Sequence, residues 1–236
     1  MGARTKVGLV VPPASGRVPP DATAMFPDVE FLVEGIGVPA MTEAGYAEAI
    51  ARLESACANL AGRGAEAVVL FGTSLSFFRG AAFDRELAGR MKNASGLPCA
   101  TLATALVQAL RSLGARRLAV ATAYTNDVNA MFSSYFSAEG FAIDAIEGLD
   151  IVSLSEAEEA APERIASLTR RVRERAPEAD AVVISCAGLS THAVCPGLEN
   201  EFAVPVVSSA MVGAWAAVRL AGRSGSAPGF GRLYQT

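Results

Sequence analysis

VVLFGTSLSF (68–77) returns later in the chain as VVISCAGLST (182–191). At an offset of 114, Val68 falls on Val182, Leu75 on Leu189 and Ser76 on Ser190. Each copy begins as an unbroken apolar run, the pattern of a strand covered on both faces within a parallel sheet. Each then breaks into small and polar residues, where such a strand opens into a loop. One aligned pair differs in chemistry: the first copy has Gly72 where the second has the thiol of Cys186.

The match extends outward in both directions. KVGLVVPP (6–13) answers to RLAVATAY (117–124) at an offset of 111. LPCATLATALVQALRSLG (97–114) answers to VPVVSSAMVGAWAAVRLAG (204–222), with Pro98 over Pro205 and Leu113 over Leu220. Three segments in the same order imply a duplicated unit. Strands are expected at 6–11, 29–33, 67–71 and 99–102, then at 117–121, 141–146, 181–185 and 205–208. Helical stretches lie between them. One should start at the N-cap Thr42 and stop at Gly62 and Gly64, and another should run from a Ser155 cap to just before Asp180. The expected architecture is α/β: two pseudo-twofold lobes, each a four-stranded parallel sheet flanked by helices. Residues 1–115 form the first lobe and 116–222 the second, with the tail 223–236 packing back on the first.

At 236 residues, with just over half of them apolar, the chain can bury a substantial core. A net charge of −4 with scattered Lys and Arg argues against nucleic acid as a partner. The apolar run Val7–Val11 is too short for a signal-peptide core or a membrane span, so a cytoplasmic protein without a membrane role is expected. A monomer is the favoured state. Four cysteines without C-x-x-C spacing and a single histidine speak against structural zinc and, in a reducing compartment, against disulfides.

Ligands in sheets of this kind sit beyond the carboxyl ends of the strands. The loops opening there are PPASG, GTSLSF, TAYTND and SCAGLS, so the site is expected between the lobes. Thr73 and Ser74 offer hydroxyls and N–H groups suited to a carboxylate, although capping a helix would alone account for them. Tyr124, directly after a strand, could donate to the same anion or could be an interfacial aromatic. Cys57, Cys99 and Cys195 read as small buried apolar residues. Cys186 stands at a strand end ahead of an expected helix, whose dipole would tune its thiol. His192 lies six residues on, expected down that helix and facing elsewhere, so a Cys–His dyad is not expected.

GTSLSFFRGAAF (72–83), ATAYTNDVN (121–129), PGFGRLYQT (228–236) and the paired loops resemble the Asp/Glu racemase superfamily, and within it the arylmalonate decarboxylases. The resemblance covers essentially the whole chain. Racemases of this superfamily use one cysteine per lobe on opposite sides of the substrate α-carbon, and maleate isomerases also rely on a cysteine in each lobe. This chain keeps only Cys186, opposite Gly72. The resemblance therefore implies a cofactor-free carboxy-lyase that decarboxylates α-aryl or α-alkenyl malonates and protonates the enediolate on one face through Cys186. It further implies that Gly72, Thr73, Ser74, Tyr124, Cys186 and Ala187 surround the retained carboxylate. The departing carboxylate would meet Pro12, Pro13, Val38, Met41, Tyr46, Leu154 and Ala157. Ala187 departs from the expected glycine. Two other readings stand beside this one: a racemase or isomerase of small carboxylic acids, and a non-catalytic carboxylate-binding protein.

Overall fold

The computed structural model describes residues 4–235. All eight expected strands form, in two four-stranded parallel sheets. The first contains β1 (Lys6–Val11), β2 (Glu30–Gly35), β3 (Ala67–Leu70) and β4 (Cys99–Thr101), in the order β2-β1-β3-β4. The second contains β5 (Arg117–Thr122), β6 (Ala142–Gly148), β7 (Ala181–Ser185) and β8 (Val206–Ser208), in the equivalent order β6-β5-β7-β8. Central strands β3 and β7 are buried along their whole length, which accounts for their uninterrupted apolar sequence.

Helices of the first half are α1 (Pro20–Met25), α2 (Glu43–Ala49), α3 (Leu53–Gly62), α4 (Thr73–Phe77), α5 (Gly80–Ser95) and α6 (Leu102–Ser112). The second half has α7 (Asn126–Ala138), α8 (Leu154–Glu158), α9 (Pro162–Arg175), α10 (Cys195–Phe202) and α11 (Ser209–Leu220). Thr42 caps α2 by accepting from the Gly45 N–H, but the expected single helix to Gly62 is interrupted by a 3-10 turn at Ile50–Arg52. The expected helix from Ser155 is also two helices. Ser155 lies inside α8, Ser153 occupies the N-cap position, and Pro162 opens α9. A proline fits a first helical turn, whereas farther in it removes a hydrogen bond and clashes with the turn before it.

The duplication recurs in detail. Thr101 caps α6 by accepting from Thr104 N–H, and Ser208 caps α11 in the same way from Met211 N–H. Gly35 and Gly148 close the equivalent strands β2 and β6. A Cβ on Gly35 would stand 2.2 Å from the Pro13 carbonyl oxygen, and one on Gly148 1.9 Å from that of Tyr124. Both glycines thus let the strand-end loops of β1 and β5 lie directly against a neighbouring strand.

The two halves are stitched together. Helix α11 follows the last strand of the second sheet yet packs on β1, β3 and β4 of the first, and on α1 and α6. Phe77 of α4 meets Tyr124 and Phe132 edge-to-face at 6.0 and 5.6 Å. Such pairs contribute about 0.5–1.5 kcal/mol each beyond area burial. Met41 N–H donates to the Val152 carbonyl across the halves at 3.0 Å. In the tail, Arg223 bonds to Thr5 and Asp28 of the first half, while Arg232 donates to Glu199 and Ala203 of the second. No described helix is long and apolar enough to cross a membrane.

Candidate active site

A cavity of about 210 Å³, mostly apolar, opens between the carboxyl ends of the two sheets. Pro12 and Pro13 line it from the loop after β1, Gly72, Thr73 and Ser74 from that after β3, Tyr124 from that after β5, and Cys186 and Ala187 from that after β7. Met41, Tyr46 and Leu154 complete the predicted part of the wall. Two predicted residues do not reach it. Val38 is buried behind the first loop, its N–H bonded to the Pro12 carbonyl, and Ala157 is buried where a Cβ on Gly188 would meet its methyl at 3.4 Å.

Gly72 is the N-cap of α4 and makes no side-chain capping bond, so nothing from that residue covers the N–H groups of the first turn. Ser76 donates its hydroxyl back to the Gly72 carbonyl at 2.8 Å, tying down the turn. The Thr73 hydroxyl is buried without a hydrogen-bond partner, as is that of Tyr46. Buried hydroxyls are normally paired, and both of these belong to residues of the cavity wall. Tyr124 is held from behind: its N–H donates to Thr122 Oγ1, which donates to Asn129 at 2.7 Å. The Tyr124 phenol lies 3.3 Å from Ser185 Oγ. Burial keeps that phenol protonated far above the ordinary tyrosine range.

Cys186 is 6% exposed, and burial pushes its thiol up to about 11. Hydrogen bonding from the Gly188 and Leu189 N–H groups pulls the other way, and Glu158 adds to the rise. The thiol is therefore neutral at ordinary pH. The expected helix after Cys186 is absent. Residues 187–194 form turns and α10 begins only at Cys195, so the helix whose dipole was expected to tune the thiol does not follow it. His192 consequently sits in a turn rather than down a helix, its Nδ1 3.5 Å from Ser190 Oγ and 3.6 Å from Asp21 Oδ2. Cys186 also has φ +142°, a backbone state that L-residues rarely adopt and that surrounding structure must impose.

The wall also includes residues that sequence reasoning passed over. Val18 and Pro19 extend the first loop up to Pro20, the first residue of α1, and Gly188 and Ser190 extend the last. Gly188 and Ser190 had a signal, since both belong to the SCAGLS loop expected to open at the site. Arg17 and Glu158, both exposed at the cavity, are single charges with no spacing pattern to reveal them.

The arylmalonate decarboxylase family profile matches residues 7–234. An arylmalonate decarboxylase of Bordetella bronchiseptica is 41% identical over 229 residues, 97% of this chain and 95% of its own. A liganded arylmalonate decarboxylase variant, with a glycine changed to cysteine and a cysteine to serine, superposes with a TM-score of 0.95 at 40% identity over 98% of both chains. A maleate isomerase of Pseudomonas putida S16 shares the fold at a TM-score of 0.90 and 21% identity, over 98% of both chains.

Proposed function

The chain belongs to the arylmalonate decarboxylase family, and on that premise we propose that it decarboxylates α-aryl or α-alkenyl malonates without a cofactor and delivers one enantiomer of the α-substituted acid. The observation that carries this reading is the asymmetry of the cavity. One neutral thiol, Cys186, borders it together with the side-chain-free Gly72 and the unpartnered Thr73 hydroxyl.

One carboxylate of the substrate stays. The hydroxyls of Thr73, Ser74 and Tyr124, with backbone N–H groups around Gly72, Thr73 and Ala187, hold its two oxygens. The other carboxylate lies against Pro12, Pro13, Met41, Tyr46 and Leu154, backed by Val38 and Ala157. Few partners replace its hydration there, and that penalty vanishes as neutral carbon dioxide leaves. The carbon–carbon electron pair moves onto the retained carboxylate and forms an enediolate. Charge then grows on the oxygens that the donors face, so those donors favour the transition state over the substrate. The Cys186 S–H transfers its proton to the α-carbon, and water reprotonates the thiolate. A racemase would need a second acid–base group on the opposite face, where Gly72 has no side chain.

The test is incubation of purified, chelator-treated protein with phenylmalonate-type acids in heavy water. Carbon dioxide release with one deuterium at the α-carbon and one enantiomer in excess is expected. Racemisation of the product acids faster than decarboxylation would overturn the reading in favour of a racemase. Binding without gas release across the panel would leave a carboxylate-binding protein.

A further inference from the structure

Asp21 has no part in the chemistry above, yet it is 1% exposed and crosses between the lobes. It stands on α1, directly after Pro20 of the cavity wall. Its Oδ1 accepts three hydrogen bonds from the second lobe: Thr191 N–H at 2.9 Å, Thr191 Oγ1 at 2.7 Å and His192 N–H at 2.8 Å. Thr191 directly follows Ser190, another wall residue, on the loop that begins at Cys186. The Thr191 hydroxyl also lies 2.6 Å from Ser208 Oγ, the cap of α11. One buried oxygen thus joins the first-lobe wall to the end of the thiol-bearing loop.

That loop needs an external hold. Cys186 keeps its φ of +142° without a following helix to brace it. Within residues 186–192 the backbone–backbone bonding is one turn bond, from Leu189 N–H to the Cys186 carbonyl at 3.2 Å. The Gly188 and Leu189 N–H groups also bond to the sulfur, and the Cys186 N–H reaches out of the loop to Ser209 Oγ at a long 3.4 Å. The bonds to a carboxylate at the far end are shorter and charge-assisted, the stronger class.

We propose that Asp21 is a positioning residue: from the opposite lobe it clamps the 186–192 loop and so holds the Cys186 thiol in its strained, shielded orientation over the cavity. The kinetic consequence rests on the decarboxylase reading, whereas the conformational one does not.

The experiment compares wild type with Asp21→Ala, Asp21→Asn and Thr191→Val by three readouts. These are kcat and KM on an arylmalonate, the optical purity of the product, and the rate at which iodoacetamide labels Cys186, located by peptide mass mapping of the native protein. Asp21→Ala is expected to lower kcat by roughly 10- to 100-fold, the scale of an ångström-sized displacement of a reacting group. KM should change little, optical purity should fall and labelling should accelerate. Asp21→Asn keeps an oxygen for the same three donors and should recover most of kcat, optical purity and slow labelling. Wild-type values in Asp21→Ala for all three readouts overturn the proposal. So does a kcat loss with unchanged labelling that Asn fails to recover. Should Asp21→Ala not fold, Thr191→Val decides, because it removes one of three donors. Faster labelling with lower kcat supports the clamp, and no change in either refutes it. If wild type releases no carbon dioxide, the decarboxylase reading fails while the labelling rates still judge the clamp.

Discussion

Cys186 joins three properties at one position: a thiol held neutral by burial, a place on the cavity wall, and a left-handed φ. If the thiol is the proton donor, Cys186→Ser should lower kcat by about 10²–10⁴, the usual worth of a positioned acid, while circular dichroism stays native. The same assignment sets a pH dependence. The donor form exists below the thiol's value of about 11, so kcat should hold steady from neutral pH and fall as pH rises through that value. A decline centred near pH 8 would point to another donor. Thr73→Val removes an unpartnered buried hydroxyl at nearly constant volume. It should cost about 10²–10³ in kcat, the range for one oxyanion donor, with little loss of stability. The contrast between Gly72 and Cys186 was legible in the repeat, since aligned strands end in aligned loops. The conformation of Cys186 was not, because no local pattern marks a positive φ imposed by distant groups on a residue with a Cβ.

Among the elements, strand positions were the most legible, because fully buried strands write continuous apolar runs. Their loops rely on less visible devices. Gly148→Ala would place a methyl against the Tyr124 carbonyl, a backbone atom that cannot rotate away. It should destabilise the protein by about 1–3 kcal/mol, the range for forced overpacking, seen as a lower Tm. Because the displaced carbonyl belongs to a wall residue, activity measured well below that Tm should also drop. The helix caps recur with the repeat, and Ser208→Ala should cost about 1–2 kcal/mol through the lost cap bond to Met211 N–H together with the contact to the Thr191 hydroxyl. Helix boundaries were less legible: Pro162 falls inside a single expected amphipathic run but begins a helix of its own. The helix expected after Cys186, with His192 on it, is replaced by turns at 187–194. The strand-to-helix pattern of the first copy, where α4 follows β3 at once, is not repeated after β7.

Across the whole molecule, the lobes are riveted by buried carboxylates of the first. Besides Asp21, Asp84 on α5 accepts from Thr104 on α6 and from Tyr135 on α7 of the second lobe, both at 2.7 Å. Burial raises the Asp84 carboxyl above its ordinary value, although hydroxyls of Thr101, Thr104 and Tyr135 pull the other way. The folded state therefore binds this proton more tightly than the unfolded state. Its contribution to stability is most favourable below the unfolded value of 3.8 and is lost as pH rises through the folded value. Asp84→Asn, which keeps an oxygen for both hydroxyls, should gain in Tm relative to wild type as pH rises from 4 to 7. A difference independent of pH would show that Asp84 titrates normally. Chain order by itself determined the duplicated strand pattern, the two parallel sheets, and which four loops open at the strand ends, because burial periodicity and turn chemistry are local. Only the tertiary structure decided that α11 packs across onto the first sheet, that the tail touches both lobes, and that Asp21 meets Thr191. These contacts join residues far apart in sequence through buried polar atoms and shape complementarity, and neither leaves a periodic trace in the order of residues.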